Sequence, residues 1–403
     1  MTAYRFLQPV DVLFLRGNKL FGDPGSFGES LVPPWPSVVA GALRSRMLAD
    51  AAIDLPAFAR GKVQHPQLGT PESPGSFTVT GFHLARRAAS GDCEPLMPLP
   101  ADLVVSEGDD DTLTVRGLAP LDLDARGLMS SASLPLLPVL AEETRSKPAS
   151  GYWLTADGWA AYCAGQAITP ATGLVHSRQL WSLDARVGVG LDAGTRSVAD
   201  GRLFSVQAVA MTQRQGASDF DTGFLVSVDG ADLPTEGLLR LGGDGRAVSI
   251  HAVPNPPATA THADTMLAQQ RCRLVLTSPG LFQAEGQGWL PVGTTRATDG
   301  SYRFDLHGVT GRLVAAAIPR AEVISGWDLA RWQPKPALKA VPTGSVYWLD
   351  ALEASPEALQ TLTASGLWAD PLSPDSRRAE GYNRLVIAPW QAVPWRGHPG
   401  RVT

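Results

Sequence analysis

The sequence is poor in charged residues and in cysteine, and both shortages narrow what the protein can be. Asp, Glu, Lys and Arg make up 18% of the 403 residues, below the roughly 25% typical of soluble domains. Low charge indicates either a surface partly covered by partners, because interface cores lack charge, or simply an Ala- and Gly-rich composition. The three cysteines, Cys93, Cys163 and Cys272, are isolated, which favours a reducing compartment and offers no paired-cysteine metal site.

The sequence also lacks segments that would place it in or across a membrane. No run of about 18 uninterrupted apolar residues is present, so no membrane-spanning helix is predicted. Residues 1–10 show no basic stretch followed by an apolar run, which is the pattern of a secretory signal. We therefore expect a cytoplasmic protein that has no membrane partner.

Motifs for metal binding and for common catalytic centres are missing as well. The seven histidines are scattered with no HxxxH pair, so no metal site is predicted. The GxxxxGKS/T phosphate loop, the GxSxG nucleophile motif and the HExxH zinc motif are all absent. Single histidines such as His176 have no sequence partner for general base chemistry. We expect no catalytic residue and no cofactor.

Glycine, proline and apolar residues are what the chain has in abundance. The 41 Gly and 33 Pro residues disfavour a helical bundle, because these are the two poorest residues inside a helix. A hydrophobic content of 44% with eleven Trp can bury a large core, which argues against disorder. At this length the default expectation is two domains with many loops.

The first half of the sequence has the pattern of strands followed by a loop and a helix. Strands are predicted at 4–7 and 10–15 on either side of Gln8-Pro9, followed by a glycine-rich loop over 16–29. A helix is predicted over 38–50, with Ser37 as its N-cap. Its packing stripe recurs every four residues at Val39, Leu43 and Met47. Arg46 falls within that stripe and Arg44 points elsewhere, so Arg46 needs a partner, a ligand or a route to solvent.

The second half repeats this order of elements. A further short helix is predicted at 152–163, before the strands at 202–211, 224–228, 247–253 and 272–277. The run 224–228 is a candidate hairpin partner of 202–211, and 233–241 has the pattern of a short helix ended by Gly242-Gly243. The repetition predicts an α+β fold of two tandem ferredoxin-like β-α-β-β-α-β domains, over 1–185 and 186–403.

One basic segment, 331–339, is the best candidate for nucleic-acid contact. Pro334 and Pro336 forbid a regular helix, so we expect an extended ribbon. Arg331, Lys335 and Lys339 would then share one face and spread over roughly 26 Å, a spacing suited to a sugar-phosphate backbone. A solvated basic loop anchored by its apolar underside is the alternative, and the net charge of −5 means that any binding must come from local patches.

Three glycine-bearing loops near aromatic residues strengthen this candidate. They are the strings SGW at 325–327, TGS at 343–345 and EGYNR at 380–384, which ends in Arg384. Glycine lets a backbone approach a ligand closely, and Trp or Tyr stacks a base for roughly 1–3 kcal/mol. Trp327 is therefore a candidate stacking residue.

The chain resembles a known family at several motifs in a shared order. The first two are DVLFLRGNKLF at 11–21 and PPWPSVVAGALR at 33–44. The others are RVGVGLD at 186–192 with GRLF at 201–204, LGGDGR at 241–246, LTSP at 276–279 with WLP at 289–291, and SGWD at 325–328 leading to VPTGSVY at 341–347. In these motifs it resembles the RAMP proteins of CRISPR–Cas systems, and more narrowly the third subunit of the Cmr (type III-B) effector complex.

That resemblance implies a non-catalytic subunit of an RNA-guided antiviral effector complex. It implies that the chain grips the repeat-derived 5′ handle of the crRNA and docks onto the large polymerase/cyclase-like subunit beside other RAMP subunits. The residues expected to contact RNA are Arg16, Asn18, Lys19, Arg44, Arg46, Arg186, Arg246, Trp327, Arg331, Lys335, Lys339 and Arg384.

Three alternatives stay open at this point. The chain could be a metal-independent RAMP endoribonuclease that processes repeat RNA by general acid–base chemistry. It could be the equivalent subunit of another type III system. It could also be a structural adaptor whose tryptophans and low surface charge face only other proteins.

Overall fold

A computed structural model describes residues 2–391 of the chain apart from 18–26, 29, 109–111, 123–124, 126, 128, 141–146, 193, 214–218, 255–260, 283–287 and 371–374. Within those ranges the chain forms mostly antiparallel sheets with seven α-helices, so the predicted α+β class is confirmed. None of the described helices combines the length and the apolarity needed to cross a bilayer.

The strands and helices are numbered in chain order. The strands are β1 (Ala3–Pro9), β2 (Phe27–Gly28), β3 (Thr78–Ala88), β4 (Cys93–Pro98), β5 (Leu103–Glu107), β6 (Leu113–Gly117), β7 (Ala119–Asp122), β8 (Leu136–Val139), β9 (Tyr152–Leu154), β10 (Leu174–His176), β11 (Trp181–Leu191), β12 (Val198–Met211), β13 (Phe220–Asp229), β14 (Glu236–Arg240), β15 (Ala247–Ala252), β16 (Cys272–Leu276), β17 (Thr294–Arg296), β18 (Tyr302–Leu306), β19 (Val309–Ala317), β20 (Glu322–Ile324), β21 (Trp327–Asp328), β22 (Gln333–Pro334), β23 (Leu338–Ala340), β24 (Val346–Glu353) and β25 (Leu385–Ala388). The helices are α1 (Pro36–Asp50), α2 (Leu55–Ala59), α3 (Ala156–Cys163), α4 (Pro170–Gly173), α5 (Ala263–Gln269), α6 (Pro356–Ser365) and α7 (Ser376–Ala379).

An eight-stranded antiparallel sheet forms the first half of the protein. Its spatial order is β10-β9-β4-β3-β13-β1-β15-β14. One face packs on α1, whose predicted stripe of Val39, Leu43 and Met47 is buried in the main core. The helix begins at Pro36 after Trp35, without a side-chain cap, so the predicted N-cap at Ser37 is wrong. Proline at the first helical turn removes one of the N–H groups that a cap would satisfy.

A six-stranded antiparallel sheet forms the second half. Its spatial order is β17-β18-β19-β24-β16-β25. The central strands β16 and β24 are almost continuously apolar because both of their faces are buried. Helices α5 and α6 pack on one face, where Met266, Leu359 and Leu362 enter the second core.

A buried ion pair joins the two halves. Arg273 on β16 donates through Nη1 to Oδ2 of Asp102 at 2.6 Å, and the two side chains are 0% and 1% exposed. Its Nε donates to the carbonyl of Pro389 at 2.8 Å and its Nη2 to the carbonyl of Tyr162 at 3.0 Å. The Tyr162 hydroxyl donates to the other Asp102 oxygen at 2.8 Å. Burial raises the pKa of Tyr162 well above its ordinary value, which keeps this hydroxyl a donor.

The tandem ferredoxin-like arrangement is not confirmed. Strands β13 and β15 pair with β3 and β1 in one sheet, so this sheet takes strands from both sides of the predicted boundary between residues 185 and 186, which itself stays a prediction. The run 224–228 lies in β13 and pairs with β1 and β3, whereas β12 pairs with β11. The predicted hairpin of these two segments is therefore wrong.

Two local predictions also fail. The segment predicted as a helix at 233–241 contains strand β14, which pairs with β15 at the sheet edge. The backbone pairing outweighs helix propensity there, and only Leu239 of the strand is buried. Residues 10–15 contain only an isolated bridge, between Leu13 and Val209, because β1 runs through Gln8 to Pro9 and ends there.

Candidate nucleic-acid interface

The predicted extended ribbon at 331–339 is a tight hairpin followed by a separate strand. Trp327 pairs with Pro334, and Asp328 pairs with Gln333. The Asp328 carboxylate accepts hydrogen bonds from the backbone N–H groups of Ala330 at 2.9 Å and Arg331 at 3.1 Å, which closes the turn. We call residues 327–334 the tryptophan hairpin. Its turn separates Arg331 from the strand positions that follow, so the predicted common face of 331, 335 and 339 is wrong.

The base of the tryptophan hairpin is fixed by backbone hydrogen bonds. The N–H of Lys335 donates to the carbonyl of Gly326 at 2.8 Å, and the Ser325 hydroxyl donates to the carbonyl of Lys335 at 2.8 Å. Lys339 lies further along on β23, where it pairs with Val323. Its side chain is exposed and forms no ion pair with any described residue.

Glu380 gathers cations from two segments around a buried carboxylate. It is 2% exposed, and it accepts the ammonium group of Lys335 on one oxygen. The other oxygen accepts Nη1 of Arg377 at 3.1 Å. A carboxylate this deep requires such partners, because an unpaired buried charge is very costly. Glu380 therefore ties the segment after the tryptophan hairpin to helix α7.

A third cation, Arg44 on helix α1, interacts electrostatically with Glu380 without forming an ion pair with it. The Arg44 guanidinium lies 5.1 Å from the ring centroid of Phe77. Burial lowers the pKa of Arg44 from its ordinary value, and the carboxylate of Glu380 opposes that shift. The Tyr382 hydroxyl donates to the Ser37 hydroxyl at 3.1 Å, which fixes the start of α1 against the loop that carries Glu380. We call Arg44, Lys335 and Arg377 the cation cluster.

Arg331 is held over the first half of the protein by an exposed ion pair. Its Nη2 lies 3.1 Å from Oε1 of Glu72, and the two side chains are 60% and 81% exposed. Exposed pairs of this kind contribute little and are screened by salt. The guanidinium can therefore exchange Glu72 for a phosphate at small cost.

The cation cluster and the tryptophan hairpin together form the candidate interface. Of the predicted residues, Trp327 and Arg331 lie in the tryptophan hairpin and Lys335 directly follows it, while Arg44 lies on α1 over Phe77. Partly exposed cations beside exposed indole rings are the combination that single-stranded nucleic acid requires, because phosphates pair with cations while bases stack on rings. The arrangement is therefore suited to binding a single strand of nucleic acid along its length.

Arg384 is not at this surface. Its side chain is 7% exposed, and its guanidinium donates to the carbonyls of Ala364 at 2.5 Å and Val79 at 3.3 Å. Burial lowers its pKa to about 10. The side chain ties α6 to β3, so we do not include Arg384 in the interface.

Arg16 and Arg246 form a second basic group near the start of the chain. Arg246 lies over the Phe14 ring at 4.9 Å and pairs with Asp11 at 3.0 Å. Arg16 lies 3.9 Å from Asp244. Both cations have acidic neighbours, and the predicted residues Asn18 and Lys19, which follow in the sequence, lie outside the described residues.

Arg46 and Arg186 are placed apart from both groups. Arg46 pairs with Asp50 at 2.7 Å and donates to the carbonyl of Leu238 at 2.5 Å, so its partner is the edge strand β14. Arg186 lies on β11 and donates to Asp184 at 2.8 Å. Neither residue adds to the interface defined above.

Sequence reasoning missed Arg377 and Glu380 as parts of this interface. The consecutive arginines at 377 and 378, just before Gly381, were the available signal, because they add positive charge to a loop already considered for RNA contact. Nothing in the sequence indicated that Glu380 would be buried.

Among the described residues, no group of three His, Cys, Asp or Glu side chains is arranged to hold a metal ion.

A family model matches almost the whole chain. The model is CRISPR-associated protein (Cas_Cmr3), and it covers residues 5–390. This match confirms the resemblance that the ordered sequence motifs indicated. No curated protein matches the sequence.

Solved structures of one kind of assembly resemble the fold loosely. A chain in the cryo-EM structure of the type III-B Cmr-β complex bound to cognate target RNA shares 15% identity and a TM-score of 0.46, with 96% of this chain and 99% of that chain covered. A chain from the same complex with target RNA and AMPPnP, in state 1, shares 14% identity and a TM-score of 0.41, with 86% of each chain covered. The family assignment rests on the family model alone.

Proposed function

The chain belongs to the Cas_Cmr3 family of CRISPR-associated proteins, and we propose that it is a non-catalytic subunit of a type III-B RNA-guided effector complex. In this role it binds the repeat-derived 5′ handle of the crRNA and docks onto the large polymerase/cyclase-like subunit, beside other RAMP subunits. The complex acts in antiviral defence within the cytoplasm.

The observation that carries the RNA-binding role is the candidate interface itself. Glu380 holds Lys335 and Arg377 together, while the tryptophan hairpin presents two exposed rings and Arg331 beside them. RNA ends that are single-stranded are recognised by phosphate contacts and stacking of splayed bases. A locally basic, aromatic surface on an otherwise acidic chain fits that ligand.

Exposed apolar side chains support docking onto other proteins. The ribbon of β11 and β12, which β2 extends by a short parallel pairing, leaves several of them in solvent, namely Leu183, Val187, Val189, Leu191, Val198 and Leu203. Contiguous exposed apolar surface marks interaction sites in soluble proteins. Together with a charged content of 18%, this ribbon favours a chain that works inside an assembly.

The non-catalytic role is supported by the chemistry of the interface. Lys335 and Arg377 are paired with a buried carboxylate, and the Tyr382 hydroxyl donates to Ser37. Burial raises the pKa of Tyr382, so its phenol is a poor source of a base. General acid–base cleavage of RNA needs a proton acceptor near neutrality, and this group of side chains supplies none.

The test is incubation of the purified full-length chain with a synthetic single-stranded RNA of the 5′ repeat sequence, in the presence of EDTA. The proposal expects a salt-sensitive complex in which the RNA stays intact. Cleavage of the RNA would favour the metal-independent endoribonuclease instead. Failure to bind, both alone and in the assembled complex, would favour the structural adaptor.

A further inference from the structure

Two tryptophan side chains stand exposed on the tryptophan hairpin. Trp327 is 49% exposed and Trp332 is 74% exposed. Their ring centroids lie 6.0 Å apart, and the ring planes are at 86°. Trp332 has φ +53°, a left-handed conformation that costs a bulky residue roughly 1–2 kcal/mol. Backbone strain of this kind concentrates at functional sites.

We propose that Trp327 and Trp332 form a stacking site for one unpaired nucleobase of a bound RNA strand. The proposal rests on the RNA-binding function above and deepens it, because it assigns Trp332 a role and states what the ring pair binds. The phosphates on either side of that base would lie along Arg331 and Lys335.

Hydrogen bonds close the hairpin, and the two rings add only their edge-to-face contact with each other. Its turn is closed by the Asp328 carboxylate, and its base is closed by the hydrogen bond from Lys335 to Gly326. Leu329, in the same turn, is 63% exposed and packs into no core. The hairpin therefore leaves much of both tryptophan side chains exposed to a ligand.

The charges beside the rings favour a nucleic acid over a protein partner. Arg331 immediately precedes Trp332, and Lys335 is hydrogen-bonded through its backbone to the residue before Trp327. The cores of protein interfaces are depleted in charge, and in lysine in particular. Single-strand binding sites instead alternate aromatic platforms with cations that follow the backbone.

The angle between the rings sets how many bases they accept. Bases that are stacked on one another in a strand are parallel. Two rings at 86° cannot both stack on parallel bases, so a continuous stack can use one ring only. A single base turned out of the stack can lie flat on one indole and place its edge against the other. The pair is therefore suited to one splayed base.

The test compares Trp332→Ala with Leu329→Ala in the full-length chain. Leu329→Ala is the matched control, since it removes an exposed apolar side chain from the same turn without removing a ring. Binding of the synthetic 5′ repeat RNA is measured by fluorescence anisotropy at several salt concentrations. A second set of RNAs carries a single abasic position, moved along the strand one nucleotide at a time.

We expect Trp332→Ala to weaken binding about 5- to 150-fold with an unchanged salt dependence, because every cation that pairs with a phosphate is still present. Leu329→Ala should bind like the natural chain. When the abasic position coincides with the base that stacks on the rings, the natural chain should bind that RNA more weakly than the complete RNA by a similar factor. Trp332→Ala should bind the same abasic RNA almost as well as it binds the complete RNA. If the natural chain binds the RNA and Trp332→Ala binds equally well, the stacking site is wrong and the proposed function stands. If the natural chain binds the RNA neither alone nor in the assembled complex, both proposals fail.

Discussion

The ammonium group of Lys335 donates to the buried carboxylate of Glu380, and this ion pair joins the segment after the tryptophan hairpin to the loop that follows α7. The same carboxylate accepts Arg377. Arg44 on α1 also interacts electrostatically with Glu380, and the Tyr382–Ser37 hydrogen bond holds the start of α1 against the same loop. The proposed RNA site depends on this arrangement, because it keeps cations together that would otherwise repel one another.

Replacing Glu380 should destabilise the fold far more than replacing Glu72. Glu380→Gln leaves two cations facing each other without their counter-ion, and we expect a loss of about 1–3 kcal/mol in the free energy of unfolding. Glu72→Gln removes only the exposed partner of Arg331, so it should cost less than about 1 kcal/mol. Urea denaturation of both variants decides this. Equal losses would show that Glu380 does not organise the site.

Lys339 should pair with a phosphate, and salt dependence can detect that pairing. Its side chain is exposed without an ion pair to any residue that the structure describes, so Lys339→Ala should leave stability unchanged. Removing one cation that neutralises a phosphate of a single strand should flatten the slope of log K against log salt by about 0.7. Lys147→Ala, an exposed lysine beyond β8, is the charge-matched control. A slope that changes equally in both variants would show that Lys339 contacts no phosphate.

Breaking the buried pair of Asp102 and Arg273 at one partner should strongly destabilise the fold. Asp102→Asn leaves the Arg273 guanidinium charged in a place with 0% exposure, and we expect a loss of about 3–5 kcal/mol in the free energy of unfolding. The double variant Asp102→Leu with Arg273→Met removes both charges, so it should recover much of that loss. Urea denaturation measures both. A double variant that is less stable than Asp102→Asn would contradict this account.

Protonation of His83 should weaken the fold in mild acid. Burial lowers the pKa of His83 to about 4, whereas free imidazole titrates near 6.5. Since the unfolded chain takes up the proton first, the stabilisation is complete above about pH 6.5. It is lost as the pH falls from there towards about 4. His83→Gln should reduce the drop in unfolding free energy across this range by about 1–3 kcal/mol. The measurement is urea denaturation at both ends of this pH range. If His83→Gln and the natural chain lose the same unfolding free energy across it, the role of His83 is refuted.

Local patterns in the sequence predicted those parts of the fold that local physics determines. The stripe of Val39, Leu43 and Met47 is buried as expected, because helical periodicity alone decides which face is apolar. The strand at β14 could not be read in this way. Four of its five residues are exposed, so β14 lacks a clear apolar pattern of its own, and its pairing with β15 decides its conformation. Gly242-Gly243 fits a turn between strands as well as the end of a helix.

The interface could be predicted only in part for a similar reason. Proline at 334 and 336 correctly excluded a helix, but the turn depends on the carboxylate of Asp328 and on Gly326, which bonds to Lys335 nine residues later. Arg384 looked like a loop cation, and its burial follows from contacts with Val79 and Ala364 that are distant in sequence. Tertiary contacts of this kind leave no local signal.

The central claim, that this chain holds the 5′ end of the guide RNA, is tested most directly by photocrosslinking in the assembled complex. A photoreactive nucleotide is placed at successive positions of the guide's 5′ handle, and the crosslinked peptides are identified by mass spectrometry. We predict crosslinks to peptides that contain Trp327, Trp332 or Lys339. Crosslinks from every handle position to other subunits alone, with none to this chain, would contradict the account.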